Sequence, residues 1–258
     1  MLTFNDFQLM TFISNFFWPM VRILSFFSIA PVFNDKLVSK KSKIILAVMI
    51  SFLVSPFLPE VQTILFSYFG FLLLFQQILI GIVLGFIAQL LFVTANLAGE
   101  IIGLQMGLSF ATFFNKSSYI GTTVISRLLN ILIFLFFLVL NTHLYLISML
   151  IDSFYSMPVD NYVLNSTIFF TLLQFFGHVF LNSVLFILPI IIILLMLSFI
   201  MSILNRLSPQ ISLFSIGFPL NLLVGMFSLY FLISITFPYF EKVLHELIFF
   251  ISHIFLNI

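Results

Sequence analysis

The sequence predicts an all-α, polytopic membrane protein, and three observations lead to that class. Apolar residues make up 62% of the 258 positions and charged residues only 7%, whereas a soluble domain carries about 45–50% and about 25%. Several apolar runs exceed the length of about 18 residues that indicates a membrane-spanning helix. No segment shows the alternating pattern of about ten residues that is typical of strands in a membrane barrel. The long runs are therefore predicted to be helices, whose backbone groups pair internally.

Charged residues and clusters of Pro, Asn and Ser mark the ends of the predicted helices. The breaks lie, in order, at 34–43, 59–62, 96–127, 152–165, 205–210 and 241–242. The apolar runs between them predict helices near 7–33, 44–58, 63–95, 128–151, 166–204 and 211–240, and a shorter one at 243–258. The first run is expected to be retained, because it lacks a basic start and contains Arg22, unlike a cleaved signal peptide.

Two of these runs are longer than a bilayer requires. As helices, 63–95 and 166–204 would extend about 50 and 58 Å, whereas the hydrocarbon core is about 30 Å thick. Strong tilt, a kink at Pro189 or a tight hairpin would accommodate part of the helix length beyond the hydrocarbon core. Protein must cover the apolar surface that still extends past the bilayer. The lengths therefore indicate partner subunits. The run 44–58 is short for a span and suits a helix that is packed within protein.

The positions of the basic residues predict an orientation. Seven of the nine Lys and Arg residues fall in alternate segments of the chain, at 34–43, 96–127 and 205–210. Because positively charged short loops stay in the cytoplasm, these segments are expected to face it, and both termini are expected to lie on the other side.

Several function classes are disfavoured by composition. A formal charge of +1 provides no basic surface for nucleic acid, and the absence of cysteine excludes thiolate metal sites and cysteine nucleophiles. The sequence contains no phosphate-binding loop, no zinc-protease motif and no nucleophile elbow, and its four His are scattered. We therefore predict a protein that is not an enzyme and that needs neither a metal nor another cofactor.

The stretch 89–127 interrupts the apolar pattern most strongly. Gly99, Gly103 and Gly107 recur every four residues, which places three bare backbone patches on one helix face and allows another helix to approach closely. Glu100 and Gln105 lie beside this stripe. A carboxylate in apolar surroundings is costly unless it is paired, neutralised or hydrated. Glu100 is therefore either a functional residue or an interfacial Glu that ends a helix in solvent.

A segment with bulky apolar side chains follows this stripe. Met106, Phe110, Phe113 and Phe114 precede a polar turn at 115–118. Because Met is flexible and Phe is large, these four residues are able to close a narrow passage against water and ions. The alternative from the residues alone is that they anchor a loop in the core.

Two further polar interruptions are candidates for sites. In 205–219, Pro209 and Pro219 limit helical continuity, Gly217 permits unusual dihedral angles and Arg206 is able to pair with a helix C-terminus; a plain cytoplasmic loop is the alternative. Asn141-Thr142-His143 lies inside the run 128–151. Such polar side chains form hydrogen bonds between helices more often than they bind metals.

These interruptions together resemble the FliR family of flagellar biosynthetic proteins, whose relatives serve injectisomes. GEIIGLQMGLS at 99–109 is similar to the family's GE-x-x-G-x-QMG stretch, and Asn141-Thr142-His143 is similar to its N-G-H. Residues 206–219 resemble R-x-x-PQ followed by F-x-IGFP, and Arg22 and the Ala-Pro pair at 30–31 extend the likeness to nearly the whole chain. Asn115-Lys116 stands where Asp-Pro is common, and Thr142 replaces Gly.

The resemblance implies a non-enzymatic subunit of a flagellar type III export gate in the bacterial inner membrane and flagellar basal body. Such a gate passes unfolded flagellar proteins and is a helical assembly with FliP-like and FliQ-like subunits that adjoins FlhB and FlhA. Residues 1–165 would be FliP-like, with a plug loop near 106–122, and 166–258 would be a FliQ-like hairpin. The residues implied in packing or polar contacts of the gate are Gly99, Glu100, Gly103, Gln105, Gly107, Asn141, His143, Arg206, Pro209, Gln210, Gly217 and Pro219.

The resemblance also favours the plug interpretation of Met106, Phe110, Phe113 and Phe114. A self-sufficient secondary transporter or channel is the alternative function. A transporter usually contains repeated spans with broken helices around a midplane site, and the sequence shows no convincing internal repeat.

Overall fold

A computed structural model describes residues 6–34, 38–58, 67–108, 122–159, 166–208 and 216–256, and in these ranges the regular secondary structure is entirely helical. This confirms the predicted all-α class. The helices are α1 Asp6–Ile29, α2 Lys40–Val54, α3 Tyr68–Gln105, α4 Val124–Val139, α5 Thr142–Ser156, α6 Ser166–Leu207 and α7 Phe218–Leu256, with a short 3-10 helix at Ser55–Phe57.

The largest differences between the predicted and the observed helices occur at three places in the chain. The run 128–151 is two helices, because Asn141 adopts the left-handed conformation with φ of 52° and interrupts the backbone hydrogen bonds. The predicted helices 211–240 and 243–258 form one helix, since Glu241 and Lys242 are exposed and do not break it. Helix α3 continues past residue 95 to Gln105, through the Gly-rich stretch.

Among the described residues, three helices are long and apolar enough to cross a membrane, or four when the broken pair α4 and α5 is counted as one span. The three are α3 and the stretches Leu173–Leu207 of α6 and Phe218–Phe250 of α7. Helix α2 has 15 residues, of which only Ala47 and Ser51 are buried. Within this chain, protein covers only one side of α2, and the expectation that 44–58 is packed within protein stays a prediction for its outer side.

The chain folds into two compact units. The first contains 1–90, 141–174 and 246–258, and the second contains 91–140 and 175–245. Helices α3, α6 and α7 contribute residues to both. The FliP-like portion 1–165 and the FliQ-like portion 166–258 rest on resemblance, and that division stays a prediction.

The first unit contains a completely buried arginine, Arg22 of α1. Its Nε donates a 2.7 Å hydrogen bond to the side-chain oxygen of Gln77 on α3. Its Nη1 donates to the backbone oxygen and the hydroxyl of Ser153, at 2.8 and 3.0 Å, and its Nη2 donates to the backbone oxygen of Met157 at 2.8 Å. The guanidinium also lies over the ring of Phe154, 4.1 Å from its centroid. One side chain thus connects α1, α3 and α5.

Arg22 stabilises the C-terminal end of α5. The last carbonyl groups of a helix lack partners in the helix and carry the negative end of its dipole. Ser153 lies in the last turn of α5 and Met157 is its C-cap residue. The guanidinium supplies a donor to the Met157 oxygen, adds a second donor to the Ser153 oxygen, which also accepts the Met157 amide, and places a favourable charge at the helix end. This arrangement offsets the cost of burying a cation.

Glycines allow α1 and α3 to approach closely beside Arg22. A Cβ atom on Gly81 would overlap the backbone oxygen of Arg22, and one on Gly85 would lie 2.9 Å from the backbone oxygen of Phe26. This is the small-x-x-x-small packing that membrane helices use. At the other end of the contact, Trp18 of α1 packs with Leu73 and Val159.

Replacing Arg22 with Met is expected to destabilise the first unit strongly. The change leaves the oxygens of Gln77 and Met157 without the donor that Arg22 supplies, at about 1–3 kcal/mol for each buried group, and it removes one of the two donors to the Ser153 carbonyl. The midpoint of thermal unfolding should fall by at least about 6 °C. It is measured in mild detergent, by size-exclusion chromatography of samples heated to a series of temperatures. Arg206→Met is the control, because Arg206 is exposed in the last turn of α6. Equal midpoints for the two variants would contradict the role of Arg22.

Candidate functional site

In the second unit, the glycine face of α3 packs against the beginning of α4. A Cβ atom on Gly99 would overlap the backbone of Ser126, and one on Gly103 would lie 2.6 Å from the side chain of Thr123. Gly99 thus meets the backbone of α4 and Gly103 meets the branched side chain of its cap residue, so a side chain at either position of α3 would push α4 away. The contact fixes the start of α4 against the last two turns of α3.

Glu100 lies between these glycines and caps α4. Thr123 is the N-cap residue of α4, and its hydroxyl accepts a 3.2 Å hydrogen bond from the amide of Ser126. Oε1 of Glu100 accepts the backbone amide of Thr123 at 2.9 Å. In a capping box, an acid three residues after the cap makes this second bond; here Ser126 occupies that position, and α3 supplies the acid.

This geometry decides between the two interpretations of Glu100. The side chain is half-buried and belongs to the interior of α3, so it does not end a helix in solvent. Its negative charge lies at the N-terminal, positive end of the α4 dipole, where it is stabilising. The hydroxyl of Thr123 donates to the backbone oxygen of Gly99 at 3.1 Å and adds a bond in the opposite direction. Glu100 therefore connects two helices by hydrogen bonds.

Helix α3 ends at a glycine C-cap. Gly107 has φ of 78°, its amide donates to the oxygen of Leu104 at 3.0 Å, and the amide of Leu108 donates to the oxygen of Gly103 at 2.9 Å. These two bonds define a Schellman motif, in which Gly stands in the left-handed position. The prediction that Gly107 continues the glycine face of the helix is therefore wrong, because the helix has already ended. Gln105 is its last residue.

Met106 is completely buried in the second unit. A Cβ atom on Gly225 of α7 would lie 2.6 to 2.7 Å from the Cγ, Sδ and Cε atoms of Met106, so the thioether occupies the space that Gly225 leaves. Sequence reasoning missed Gly225. Gly225 could have been found from the sequence, because an isolated Gly inside a long apolar run indicates that another chain segment approaches closely there.

A polar cluster one turn before Glu100 was also missed. The hydroxyl of Ser126 donates to the side-chain oxygen of Asn96 at 3.0 Å, and the amide nitrogen of Asn130 donates to the same oxygen. Asn96 and Glu100 are four residues apart on α3, as are Ser126 and Asn130 on α4. That spacing places the polar groups of each helix on one face. It could have been used to predict a polar contact between the two helices.

The other predicted residues are distributed over the chain. Arg206 is exposed, Gly217 is buried immediately before α7, and Pro219 is exposed in the first turn of α7, where Pro is tolerated. Asn141 and His143 belong to the first unit, at the beginning of α5. The remaining candidates lie outside the described residues: Phe110, Phe113, Phe114, Asn115, Lys116, Pro209 and Gln210.

The described residues contain no group of three His, Asp or Glu side chains that is able to hold a metal ion. What the structure brings together is Gly99, Glu100, Gly103 and Met106, in contact with α4 and α7. These contacts hold the C-terminal end of α3 rigidly, directly before the segment 109–121.

Comparison with known proteins identifies relatives along the whole chain. A family model described as bacterial export proteins, family 1, matches residues 13–247. A flagellar biosynthetic protein FliR of Buchnera aphidicola subsp. Acyrthosiphon pisum is 68% identical over 258 residues, which is the full length of both chains. The FliR protein of Escherichia coli K12 is 42% identical over 96% of this chain and 95% of its own. The FliR protein of Aquifex aeolicus is 30% identical over 80% of each chain.

Replacing Gly99 with Ala is expected to destabilise the second unit by about 2 kcal/mol, because the added methyl group overlaps backbone that cannot move aside. Gly177→Ala is a matched control, since a Cβ there meets nothing within 4 Å; it should be neutral or stabilising by up to about 1 kcal/mol. The unfolding temperatures of the two variants in detergent should be compared with that of the wild type. A Gly99→Ala variant at least as stable as Gly177→Ala would contradict the close contact.

Replacing Glu100 with Gln is expected to cost less than replacing it with Leu. Gln keeps an oxygen that accepts the Thr123 amide and loses only the charge at the helix end, at about 0.5 kcal/mol. Leu leaves the amide without its acceptor, at about 2 kcal/mol. The stability of both variants should be measured under the same conditions. If Glu100→Leu were as stable as Glu100→Gln, the capping role would be wrong.

Proposed function

The chain belongs to family 1 of the bacterial export proteins, together with the flagellar biosynthetic proteins FliR, and we propose that it is a structural, pore-forming subunit of a flagellar protein export gate. Membership confirms the resemblance that the sequence motifs indicated. In this proposal the gate lies in the bacterial inner membrane and passes unfolded flagellar proteins. The chain performs no catalysis of its own, and partner proteins and the proton motive force supply the energy.

The length and exposure of α6 and α7 carry this proposal. They contain 42 and 39 residues, which corresponds to about 63 and 58 Å, or twice the hydrocarbon core. Their apolar windows are only 22% and 28% buried within the chain. Large exposed apolar side chains extend along α6 from Phe170 to Leu207. Lipid covers only about half of such a helix, so other protein subunits must cover the rest.

The proposed neighbours are FliP-like and FliQ-like subunits, with FlhB and FlhA adjoining. In this arrangement 1–165 takes the place of a FliP-like subunit, and 166–258 that of a FliQ-like hairpin. Helices that are exposed on several sides suit a helical assembly, because each subunit covers the apolar surface of the next.

We further propose that the predicted plug residues Met106, Phe110, Phe113 and Phe114 seal the pore when no substrate is present, with the buried Met106 as the base of the plug. A channel that is wide enough for an unfolded chain would leak ions unless an apolar constriction closed it. The rigid end of α3 supports this role, because Met106 is fixed against Gly225 and Gly107 terminates the helix directly before the segment with the three Phe residues. Such an anchor gives the three Phe residues a fixed base.

The conductance of the assembled gate in planar bilayers tests the proposal. We expect the wild-type assembly to be nearly closed and the Phe110→Ala, Phe113→Ala, Phe114→Ala variant to conduct at least about tenfold more, since small side chains cannot exclude water. The matched control replaces Phe69, Phe71 and Phe75 of α3, which are exposed in the isolated chain, and should stay closed if it assembles.

Two results would contradict the proposal. A triple variant that assembles fully and stays as closed as wild type would remove the sealing role of the three Phe residues. A chain that transports a solute when reconstituted without any partner would instead support a self-sufficient transporter.

A further inference from the structure

The outer side of α2 is an exposed apolar surface. Helix α2 packs on α1, and it faces away from α1 with large side chains whose exposed fractions reach 60% at Ile45 and 64% at Phe52. We call these residues the outer face of α2: Ile44, Ile45, Met49, Phe52 and Leu53. They occupy one half of the helix circumference, as expected from a period of 3.6 residues.

Basic residues lie at the N-terminal end of this face. Lys40 and Lys41 are exposed and Lys43 is half-buried. The described segment 38–58 contains no acidic residue. In the sequence, Lys36 and Asp35 precede it, so the segment 34–43 holds four lysines against one acid. The outer face therefore joins an apolar surface to a sequence segment of net positive charge.

Helix stability does not explain these lysines. The N-terminus of a helix carries the positive end of its dipole, so lysines in the first turn are unfavourable there. The first turn of α2 has no acid that compensates them. The dipole and the lysines both favour an anion outside the chain.

The length of α2 places this surface at the edge of a membrane. Fifteen residues extend about 22 Å, which is too short to cross a hydrocarbon core of about 30 Å. A helix with basic residues and an exposed apolar face lies instead at the boundary between headgroups and acyl chains. The four lysines of 34–43 are expected to face the cytoplasmic leaflet, which carries anionic lipids. In this proposal α2 does not cross the membrane, so the alternation of basic segments predicted from the sequence does not extend past α2.

The distribution of small residues distinguishes lipid from a protein neighbour. Helix contacts in membranes are enriched in small residues that let backbones approach. In α2 the small residues Ala47 and Ser51 are buried, whereas the outer face is composed of large, flexible or branched side chains. That composition fits fluid acyl chains better than a second helix.

We propose that the outer face of α2 binds anionic phospholipid at the cytoplasmic membrane surface, with Ile45, Met49 and Phe52 among the acyl chains and Lys40 and Lys41 at the phosphate groups. This contact is separate from the pore and would anchor the first unit at the membrane.

The absence of cysteine from the chain allows a direct test. A single cysteine introduced by Met49→Cys is labelled with a fluorophore, and the full chain, with the subunits that co-isolate, is placed in phosphatidylcholine nanodiscs. One preparation contains brominated phosphatidylglycerol and another the same fraction of brominated phosphatidylcholine. We expect stronger quenching by the brominated anionic lipid. The Lys40→Gln, Lys41→Gln, Lys43→Gln variant should bring the ratio of the two quenching efficiencies to about one, whereas Lys→Arg variants should keep it.

A probe at Ile193, an exposed position of α6, is the matched control for folding and is expected to show no difference between the two lipids. Equal quenching of the Met49 probe by both lipids in the wild-type background would overturn anionic lipid binding. No quenching by either lipid would show that protein covers the outer face, and this would also overturn the proposal.

Discussion

Polar groups between apolar helices must find their hydrogen-bond partners inside the protein, and this constraint decides where the helices of each unit meet. Arg22 donates to Gln77 and to the last carbonyl groups of α5. Glu100 accepts the first amide of the α4 cap. In both cases a charged side chain of one helix satisfies the terminus of another, because helix ends carry the backbone groups that lack partners. The apolar residues then pack around contacts that polar groups have already fixed.

The same need for internal hydrogen bonds explains why glycines lie at the helix contacts and why long apolar surfaces stay exposed. A short hydrogen bond between helices requires a close approach, which Gly81 and Gly99 allow on α3. Many large apolar residues of the described ranges have no such partner within the chain and are exposed, above all on α6 and α7. The chain therefore builds two internally fixed units and leaves long apolar surfaces for its surroundings. That is the physical basis for proposing it as one subunit of a larger gate.

The fold class and the family were predictable from the sequence, because apolar run length and ordered polar motifs are local properties. The break at Asn141 and the continuity of α7 through Glu241 were not, since a residue's exposure decides whether it interrupts a helix, and exposure depends on the fold. Gly107 was misinterpreted because a glycine that ends a helix has the same spacing as one that packs on a face. Gly225 was missed because its partner, Met106, is 119 positions away in the sequence.

The composition of the complex that contains this chain tests the central claim most directly. The chain should be expressed with FliP-like and FliQ-like subunits, extracted in mild detergent and weighed intact by native mass spectrometry. Coverage of α6 and α7 by neighbouring subunits predicts one stable assembly of fixed stoichiometry that contains all three proteins. A chain that is recovered alone, folded and monodisperse, with its long helices covered only by detergent, would contradict the claim.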